Sequence, residues 1–266
     1  MYPNEIFFGM SLYDIFLLVG VLSAFLLGDR LGTKCAFSVA LQKMLIVGAF
    51  LAVTLGYGFA VLFQAFYNFM DGGAFEITQG TGATFFGGLI GGAGVFLLVW
   101  FVFAPKFCKD KEEPKKRFAD MLDIAAVCVP IAHAFGRIGC FFAGCCHGAE
   151  TESWLGVSMN GGTYVPVQLF ESAFLFVLGG VLWRLFGKKT DGGRLPLMPV
   201  YCLAYGVWRF FIEYARADER GATVVSFLSP SQLVAILLIV FGIVYFVLFY
   251  RAQKIKKQER KEEWKE

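Results

Sequence analysis

Seven long apolar stretches divide this chain, and they constrain its fold more than any other feature. They lie at about residues 11–28, 44–67, 83–104, 119–143, 165–186, 196–215 and 229–250. Each is close to the roughly 20 residues that an α-helix needs to cross a hydrocarbon core about 30 Å thick. Of the 266 residues, 57% are hydrophobic and only 17% are charged, which excludes an ordinary soluble domain. The stretches therefore predict an all-α, polytopic membrane protein of seven transmembrane helices.

The basic residues alternate along the loops between these stretches. Lys and Arg are frequent after the first, third, fifth and seventh stretches, whereas the loops at 68–82 and 144–164 contain neither. Cytoplasmic loops carry the excess of Lys and Arg, so we expect the N-terminus outside and the C-terminus inside. The first ten residues contain no basic residue, so no cleaved signal is expected. We expect one membrane domain over 1–250, with a small outer loop region at about 144–164, and a charged cytoplasmic tail at 251–266.

Two arginines interrupt the apolar stretches, Arg137 in the fourth and Arg209 in the sixth. A charged side chain at the centre of a bilayer costs about 2.5–3.5 kcal/mol on insertion scales, so such residues usually belong to a functional site. Guanidinium groups bind phosphate well because their planar fork of N–H donors matches phosphate oxygens. Two of them facing one cavity predict a receptor for the phosphate of a phospholipid.

Four polar residues recur at helical spacing around the second arginine. Tyr205, Arg209, Glu213 and Arg216 stand four, four and three residues apart. This spacing places them on one face of a helix, where Glu213 can orient Arg209 and offset part of its charge. The alternative is an ion-pair stripe that only holds helices together.

Three of the seven cysteines, Cys140, Cys145 and Cys146, crowd the end of the fourth stretch just before His147. Four interpretations stay open for them. They can form a disulfide in an oxidising compartment, bind a metal ion, act as a thiol redox centre, or pack as small buried residues. Of the two histidines, His147 is the stronger candidate for a general base and His133 is the second.

Glycines are dense in the third stretch, and Gly87 and Gly88 are typical of them. Small residues let helix backbones approach closely in lipid. A bare backbone can also offer N–H groups to an anionic lipid headgroup. Both interpretations stay open from the sequence.

The motifs around the two arginines resemble those of the bacterial prolipoprotein diacylglyceryl transferases. The family signature at the end of the fourth span is G-R-x-G-N-F-x-N-x-E-x-x-G, and this chain has GRIGCFFAGCCHG. The matching residues are Gly136, Arg137, Gly139, Phe141 and Gly148. A second family motif, Y-G-x-x-R-x-x-x-E-x-x-R, is met in full by Tyr205, Gly206, Arg209, Glu213 and Arg216.

Further family positions are matched outside these two motifs. The family's P-x-Q-L-[YF]-E appears here with Gln168 and Glu171 as its polar members. Asp123 precedes Arg137 by fourteen residues, as a family Asp does, and Tyr13 falls where the family has a tyrosine in the first span.

The resemblance implies a transferase of lipoprotein biosynthesis in the bacterial inner membrane. Such an enzyme moves a diacylglyceryl group from phosphatidylglycerol to the thiol of a lipobox cysteine in a prolipoprotein. Its partners are these two substrates and the lipid bilayer, with no nucleic acid, cofactor or metal. The residues expected to be catalytic are Arg137, Arg209, Tyr205, Glu213 and His147. The residues expected to bind substrate are Tyr13, Gly87, Gly88, Asp123, Gly136, Gly139, Cys140, Cys145, Gly148, Gln168, Glu171, Gly206 and Arg216.

The chain departs from the family pattern at several polar positions. Phe86 stands where the family has a histidine in the third span, and Val165 replaces a second histidine. Cys140, Ala143 and Cys145 replace two asparagines and a glutamate of the signature. Two alternatives therefore stay open: a membrane thiol–disulfide oxidoreductase that uses the three cysteines, and a lipid-binding paralogue without catalysis.

Overall fold

The computed structural model describes residues 9–70, 72–78, 81–159, 161–190, 193–216 and 228–263, and most of these are helical. Their α-helices are α1 (Leu12–Lys34), α2 (Val39–Met70), α3 (Phe85–Leu98), α4 (Ala104–Phe107), α5 (Glu113–Lys116), α6 (Phe118–Ala143), α7 (Val167–Leu185), α8 (Leu197–Ile212) and α9 (Pro230–Glu263). A π-helical turn over Val99–Phe103 joins α3 to α4, and a 3₁₀ turn over Glu213–Ala215 follows α8. Most of the predicted loop at 216–228 and the last three residues of the predicted tail lie outside the described residues.

Six helical segments among the described residues are long and apolar enough to cross a membrane. They are Leu12–Lys34, Val39–Met70, Phe86–Phe107, Phe118–Ala143, Val167–Leu185 and Pro230–Ile255. They coincide with six of the seven predicted stretches, so the prediction of a multi-pass helical membrane protein is confirmed. The remaining stretch folds as α8, which has 16 residues. That length rises only about 24 Å, less than the roughly 30 Å hydrocarbon core, so α8 is not among the candidate spans.

The helices form two compact units, of which one comprises Phe25–Met121. Within it, α2 and α3 pack through glycines. A Cβ atom on Gly56 would lie 3.1 Å from the Cα of Gly92, and a Cβ on Gly91 would lie 2.4 Å from Phe59. Larger residues at these positions would force the two backbones apart, as is typical of small-residue packing in membranes.

The other unit comprises Met1–Ala24 and Leu122–Glu266. Here α6 packs against α1 so closely that a Cβ on Gly20 would lie 2.8 Å from the carbonyl oxygen of Ala132. On another side α6 meets α7, where the buried hydroxyl of Ser172 donates to the carbonyl of Ala134 at 3.0 Å. The α6 helix therefore has close neighbours on two sides, and it carries Arg137 between them.

The start of α8 is tied to the beginning of α6 by a buried carboxylate. Asp123 Oδ1 accepts a hydrogen bond from the backbone N–H of Leu197 at 2.7 Å, and its Oδ2 lies 3.1 Å from Arg194 Nε. Further along, α8 packs on α9, since a Cβ on Gly206 would lie 3.0 Å from the carbonyl oxygen of Ala235. These contacts fix the position of α8, and with it the position of Arg209.

Two short antiparallel hairpins complete the described structure. Strands β1 (Val157–Met159) and β2 (Gly162–Tyr164) pair within the predicted outer loop region, with Val157 opposite Tyr164. Strands β3 (Lys189–Thr190) and β4 (Gly193–Arg194) pair between α7 and α8. An isolated bridge joins Gly148 to Arg216, which brings the chain after α6 against the chain after α8.

Candidate active site

A two-point ion pair between Arg137 on α6 and Glu171 on α7 forms the centre of the site. Arg137 Nε lies 3.0 Å from Glu171 Oε2, and its Nη2 donates to Oε1 at 3.2 Å. The side chain of Glu171 is 0% exposed and that of Arg137 is 13% exposed. Glu171 therefore holds the Arg137 guanidinium through one hydrogen bond and a second close contact between opposite charges. Arginine has five N–H donors, so this contact leaves others for a further acceptor.

Glu171 also receives contacts from two other side chains. The hydroxyl of Tyr205 on α8 donates to Oε1 at 2.9 Å, and His133 Nε2 lies 3.9 Å from the same oxygen. The His133 and Tyr205 rings meet edge to face at 5.4 Å. His133 and Arg137 share one face of α6 because they are four residues apart. Three helices therefore converge on one buried carboxylate.

Arg209 on α8 lies within electrostatic range of the same carboxylate and attracts its negative charge. Its Nη2 donates to Ser231 Oγ at 2.8 Å and lies 2.8 Å from Glu213 Oε2. The other oxygen of Glu213 accepts a hydrogen bond from Ser229 Oγ at 2.7 Å. Each arginine is thus held by its own carboxylate, and both lie within electrostatic range of Glu171.

A thiol cluster forms where α6 ends. The helix stops at Ala143, and Gly144 adopts the left-handed conformation with φ +70°. Gly144 N–H then bonds the carbonyl of Phe141 at 3.0 Å, and Cys145 N–H bonds that of Cys140 at 3.2 Å. These two bonds make the Schellman motif, in which the residue after the glycine folds back over the last helical turn. Here the residues brought together are Cys145 and Cys140.

Cys146 completes the cluster with an unusual backbone conformation. It is one of two described non-glycine residues with positive φ, at 59°. The left-handed region costs an L-residue roughly 1–2 kcal/mol. The result is that the Sγ atoms of Cys140, Cys145 and Cys146 all lie within 4.8 Å of one another. All three are free thiols.

The surroundings of the cluster favour negative charge on sulfur. The thiols of Cys140 and Cys145 lower the pKa of Cys146 by hydrogen bonding to it, and Arg216 and Arg137 add electrostatic attraction. The pKa of Cys145 is raised because its proton is held in hydrogen bonds with Cys140 and Cys146. Of the two thiols beyond the end of α6, Cys146 therefore has the lowered pKa and Cys145 the raised one.

Two residues that were predicted to bind substrate lie close to this thiol cluster. Gln168, fully buried on α7, donates from Nε2 to the carbonyl of Cys145 at 2.7 Å. Tyr13 on α1 lies within electrostatic range of all three thiols. A Cβ on Gly139 would lie 3.1 Å from the Tyr13 ring, so this glycine allows α1 to approach α6.

His147 follows the cluster directly. Its Nδ1 lies 3.0 Å from the carbonyl oxygen of Gly148, and its ring lies 4.0 Å from that of Tyr164. A carbonyl can only accept, so this contact needs the proton on Nδ1 and leaves Nε2 as the free acceptor.

The other predicted site residues are distributed over α3, α6, α8 and the chain that follows α6 and α8. Asp123, which ties α8 to α6, is fourteen residues from Arg137 on the same helix, or about 21 Å along its axis. Gly87 and Gly88 belong to the unit of residues 25–121, where a Cβ on Gly87 would lie 2.7 Å from Phe63 on α2. A Cβ on Gly136 would meet nothing within 4 Å. Gly148 and Arg216 meet in their bridge, and Gly206 packs on α9.

Ser229 and Ser231 contribute contacts that sequence reasoning missed. They flank Pro230 at the start of α9 and bond Glu213 and Arg209, respectively. A serine before a proline that opens a helix is a recognisable start signal. Nothing local in the sequence links it to a residue about twenty positions earlier.

The fold and the site together define a multi-pass helical membrane protein with a part-buried and a buried arginine, each paired with a carboxylate. The prolipoprotein diacylglyceryl transferase family model matches residues 4–248. A phosphatidylglycerol–prolipoprotein diacylglyceryl transferase of Clostridium tetani is 32% identical over 250 residues, covering 90% of this chain and 94% of that protein. The transferase of Campylobacter curvus is 32% identical over 220 residues, covering 76% and 74%. A second transferase of Clostridium perfringens is 35% identical over 185 residues, covering 66% and 64%.

The chain belongs to the prolipoprotein diacylglyceryl transferase family. The resemblance inferred from the motifs is thereby confirmed.

Proposed function

We propose that this protein transfers a diacylglyceryl group from phosphatidylglycerol to a cysteine thiol of a prolipoprotein. The observation that carries the proposal is the buried centre in which Arg137, Tyr205 and Arg209 surround Glu171. Family membership and the names of the relatives in Clostridium and Campylobacter support the same reaction.

The reaction places its largest charge change on a phosphate. The acceptor sulfur forms a bond to a glycerol carbon of the lipid while the bond from that carbon to the phosphate oxygen breaks. Negative charge grows on the departing glycerol phosphate. Fixed N–H donors aimed at such charge lower the barrier most effectively where water is excluded.

We assign the phosphate to Arg137 and Arg209. Glu171 holds Arg137 through one hydrogen bond and one further ion-pair contact, and Glu213 orients Arg209. The hydroxyl of Tyr205 donates a hydrogen bond to Glu171, and we propose that it turns from this carboxylate to the same headgroup when lipid binds. The arginines are held in place before the lipid arrives, so little reorganisation is needed as charge develops.

The acceptor thiol must lose its proton because the thiolate is the nucleophile. With Phe86 in place of the family histidine, we assign this proton to His147. Its Nδ1 contact with the carbonyl of Gly148 leaves Nε2 to accept. The remaining residues that match family motifs are proposed to bind lipid or acceptor.

We further propose one membrane domain over 1–250 in a bacterial inner membrane, with seven spans and the N-terminus outside. The seventh span is α8, which its 3₁₀ turn extends to Ala215. The loops rich in Lys and Arg then face the cytoplasm, as the charge bias favours.

The test is product formation by the purified protein. Incubation with phosphatidylglycerol and a lipobox peptide is expected to add the mass of diacylglyceryl to the cysteine, and a Cys→Ser peptide serves as the control. Arg137→Ala and Arg209→Ala are each expected to lose roughly 10²-fold or more, whereas Arg184→Ala, an exposed arginine on α7, stays active. Peptide that stays unmodified with well-folded protein would contradict the proposal.

The three thiols favour a second candidate, a thiol–disulfide oxidoreductase. It predicts dithiol oxidation or disulfide reduction that is lost in Cys140→Ser and Cys145→Ser but retained in Arg137→Ala. The transferase function predicts instead that Arg137→Ala loses activity.

A further inference from the structure

We propose that Cys140, Cys145 and Cys146 bind one zinc ion whose fourth coordination position is open to the acceptor thiol. The identity of that thiol rests on the proposed function. The metal site itself rests on the geometry of the cluster.

The three sulfurs already have nearly the spacing that one ion requires. Zn–S bonds are about 2.3 Å long, so three sulfurs around one zinc lie about 3.8–4.0 Å apart. The Sγ atoms here all lie within 4.8 Å of one another. Small side-chain adjustments would therefore suffice.

The backbone conformation around the end of α6 brings the three thiols together. The Schellman turn at Gly144 brings Cys145 over Cys140, and Gln168 holds the carbonyl of Cys145 at 2.7 Å. Cys146 keeps a positive φ that packing as a small residue would not require. Strain of this kind persists only where the surrounding structure enforces it, and it concentrates at functional sites.

The charges around the cluster suit a metal thiolate. Three thiolates and Zn²⁺ carry a net charge of −1, and a fourth thiolate makes it −2. Arg137 and Arg216 lie within electrostatic range of Cys146, so both can offset this charge. Because Arg137 is also assigned to the phosphate, one side chain would attract both reacting groups.

Zinc fits better than other soft ions because of the number of ligands. Thiolates select zinc and Cu(I) among the available ions. Three thiolates can complete a Cu(I) site, whereas zinc takes four ligands and keeps one position for water or substrate in catalytic sites. Within the described residues no histidine or carboxylate joins the three sulfurs, and the contact of His147 Nδ1 with Gly148 turns that nitrogen elsewhere.

The open coordination position on zinc would activate the acceptor thiol, which Phe86 cannot do because it lacks the imidazole of the family histidine. A thiol that coordinates zinc is deprotonated, and its proton passes to solvent water. The bound sulfur then forms a bond to the glycerol carbon while the carbon–oxygen bond to phosphate breaks, and glycerol phosphate leaves with the electron pair. The step needs no oxidant or reductant. The thioether product is a weaker ligand than a thiolate, so it leaves the zinc.

The first experiment measures metal binding by the full-length protein in detergent, purified with reductant and zinc. Elemental analysis is expected to find about one zinc per chain. Single Cys→Ser variants at 140, 145 and 146 are expected to fall to about a tenth of this or less. The matched control is Cys128→Ala, which removes a buried thiol of the same helix outside the cluster and keeps its zinc. Absence of zinc from the wild type, or a disulfide within the trio, would overturn the proposal.

A second measurement does not depend on the variants folding. The wild-type protein is stripped with a chelator, its helix content is checked by circular dichroism, and Co²⁺ is added. Thiolate-to-cobalt charge-transfer absorption is expected. The cobalt d–d bands should then shift with a lipobox peptide and not with its Cys→Ser analogue. If the cobalt bands do not change when the peptide is added, the proposal that one coordination position is open to the acceptor thiol is wrong.

Lipid transfer separates this proposal from the proposed function. Metal-free protein is expected to transfer diacylglyceryl roughly 10²-fold more slowly, with recovery on adding zinc. Equal rates with and without metal would overturn the zinc site and leave the transferase standing. Zinc and peptide binding without any thioether product would overturn the transferase and leave the zinc site standing.

Discussion

Tyr205 and Arg137 bond the same carboxylate oxygen of Glu171 from two different helices. The tyrosine hydroxyl lies 2.9 Å from Oε1 and the arginine Nη2 lies 3.2 Å from it. Because one oxygen accepts both bonds, a change at Tyr205 reaches Arg137 without touching it.

Tyr205→Phe tests this coupling. The variant removes one donor from the buried centre, and we expect transfer to fall by roughly 10²-fold while stability falls by only about 1 kcal/mol. Tyr201→Phe is the matched control, since Tyr201 stacks on Tyr205 one helical turn earlier. Equal rates for the two variants in the lipobox peptide assay would remove Tyr205 from the mechanism.

Glu171→Ala should destabilise the protein more than other changes on α7. It leaves the part-buried Arg137 without its carboxylate, and breaking a fully buried pair costs about 3–5 kcal/mol, which is the upper limit for this change. Ser172→Ala, the neighbouring residue with one buried hydrogen bond, should cost only about 1 kcal/mol. Thermal unfolding in detergent compares the two, and similar midpoints would show that the ion pair contributes little.

Gly148→Ala and Gly136→Ala form a pair of identical changes in opposite surroundings. A Cβ on Gly148 would lie 2.6 Å from the carbonyl oxygen of Ala215, so we expect a loss of about 1–3 kcal/mol. Gly136 has nothing within 4 Å of such an atom and lies inside α6, so the same change should gain up to about 1 kcal/mol. A larger loss at Gly136 would mean that an unseen group occupies the space beside it.

His147→Ala tests the assigned base. We expect a loss of roughly 10²-fold in transfer, partly restored by added imidazole, which a packing defect would not allow. Tyr164→Phe keeps the ring beside His147 and serves as the control. Wild-type rates in His147→Ala would return the histidine to a structural role.

The orientation of the chain can be tested with reporter fusions. A reporter after Lys111 is expected in the cytoplasm and one after Glu152 outside, because the first loop is rich in Lys and the second contains neither Lys nor Arg. Both reporters on one side would rule out a spanning α6. The reverse placement would contradict the N-terminus outside.

Local patterns accounted for much of the fold. The apolar stretch at 119–143 became α6 at Phe118–Ala143, and the one beginning at 229 became α9 from Pro230. The contact between Arg209 and Glu213 also follows from helical spacing, and the structure has it at 2.8 Å. Their roles in substrate binding stay predictions.

What the sequence could not supply is the set of long-range pairings. Arg137 and Glu171 are thirty-four residues apart, and no periodicity connects them. Hydropathy placed α8 in a spanning stretch, but its regular helix ends at Ile212, where the 3₁₀ turn begins. A glycine is a typical signal of a helix end, and α6 ends immediately before Gly144. The approach of three sulfurs needed the geometry of that turn as well as its presence.

Gln168 and Glu171 lie three residues apart on α7, and the helix separates their backbones by only about 4.5 Å along its axis. One side chain holds the carbonyl of Cys145, and the other holds the guanidinium of Arg137. The thiol cluster and the proposed phosphate-binding arginine are therefore both positioned by side chains of α7. Because both contacts come from one helix, we expect a displacement of α7 to carry the thiol cluster and Arg137 together. In the proposed reaction, α7 would therefore set the distance between the sulfur that attacks and the arginine that binds the departing phosphate.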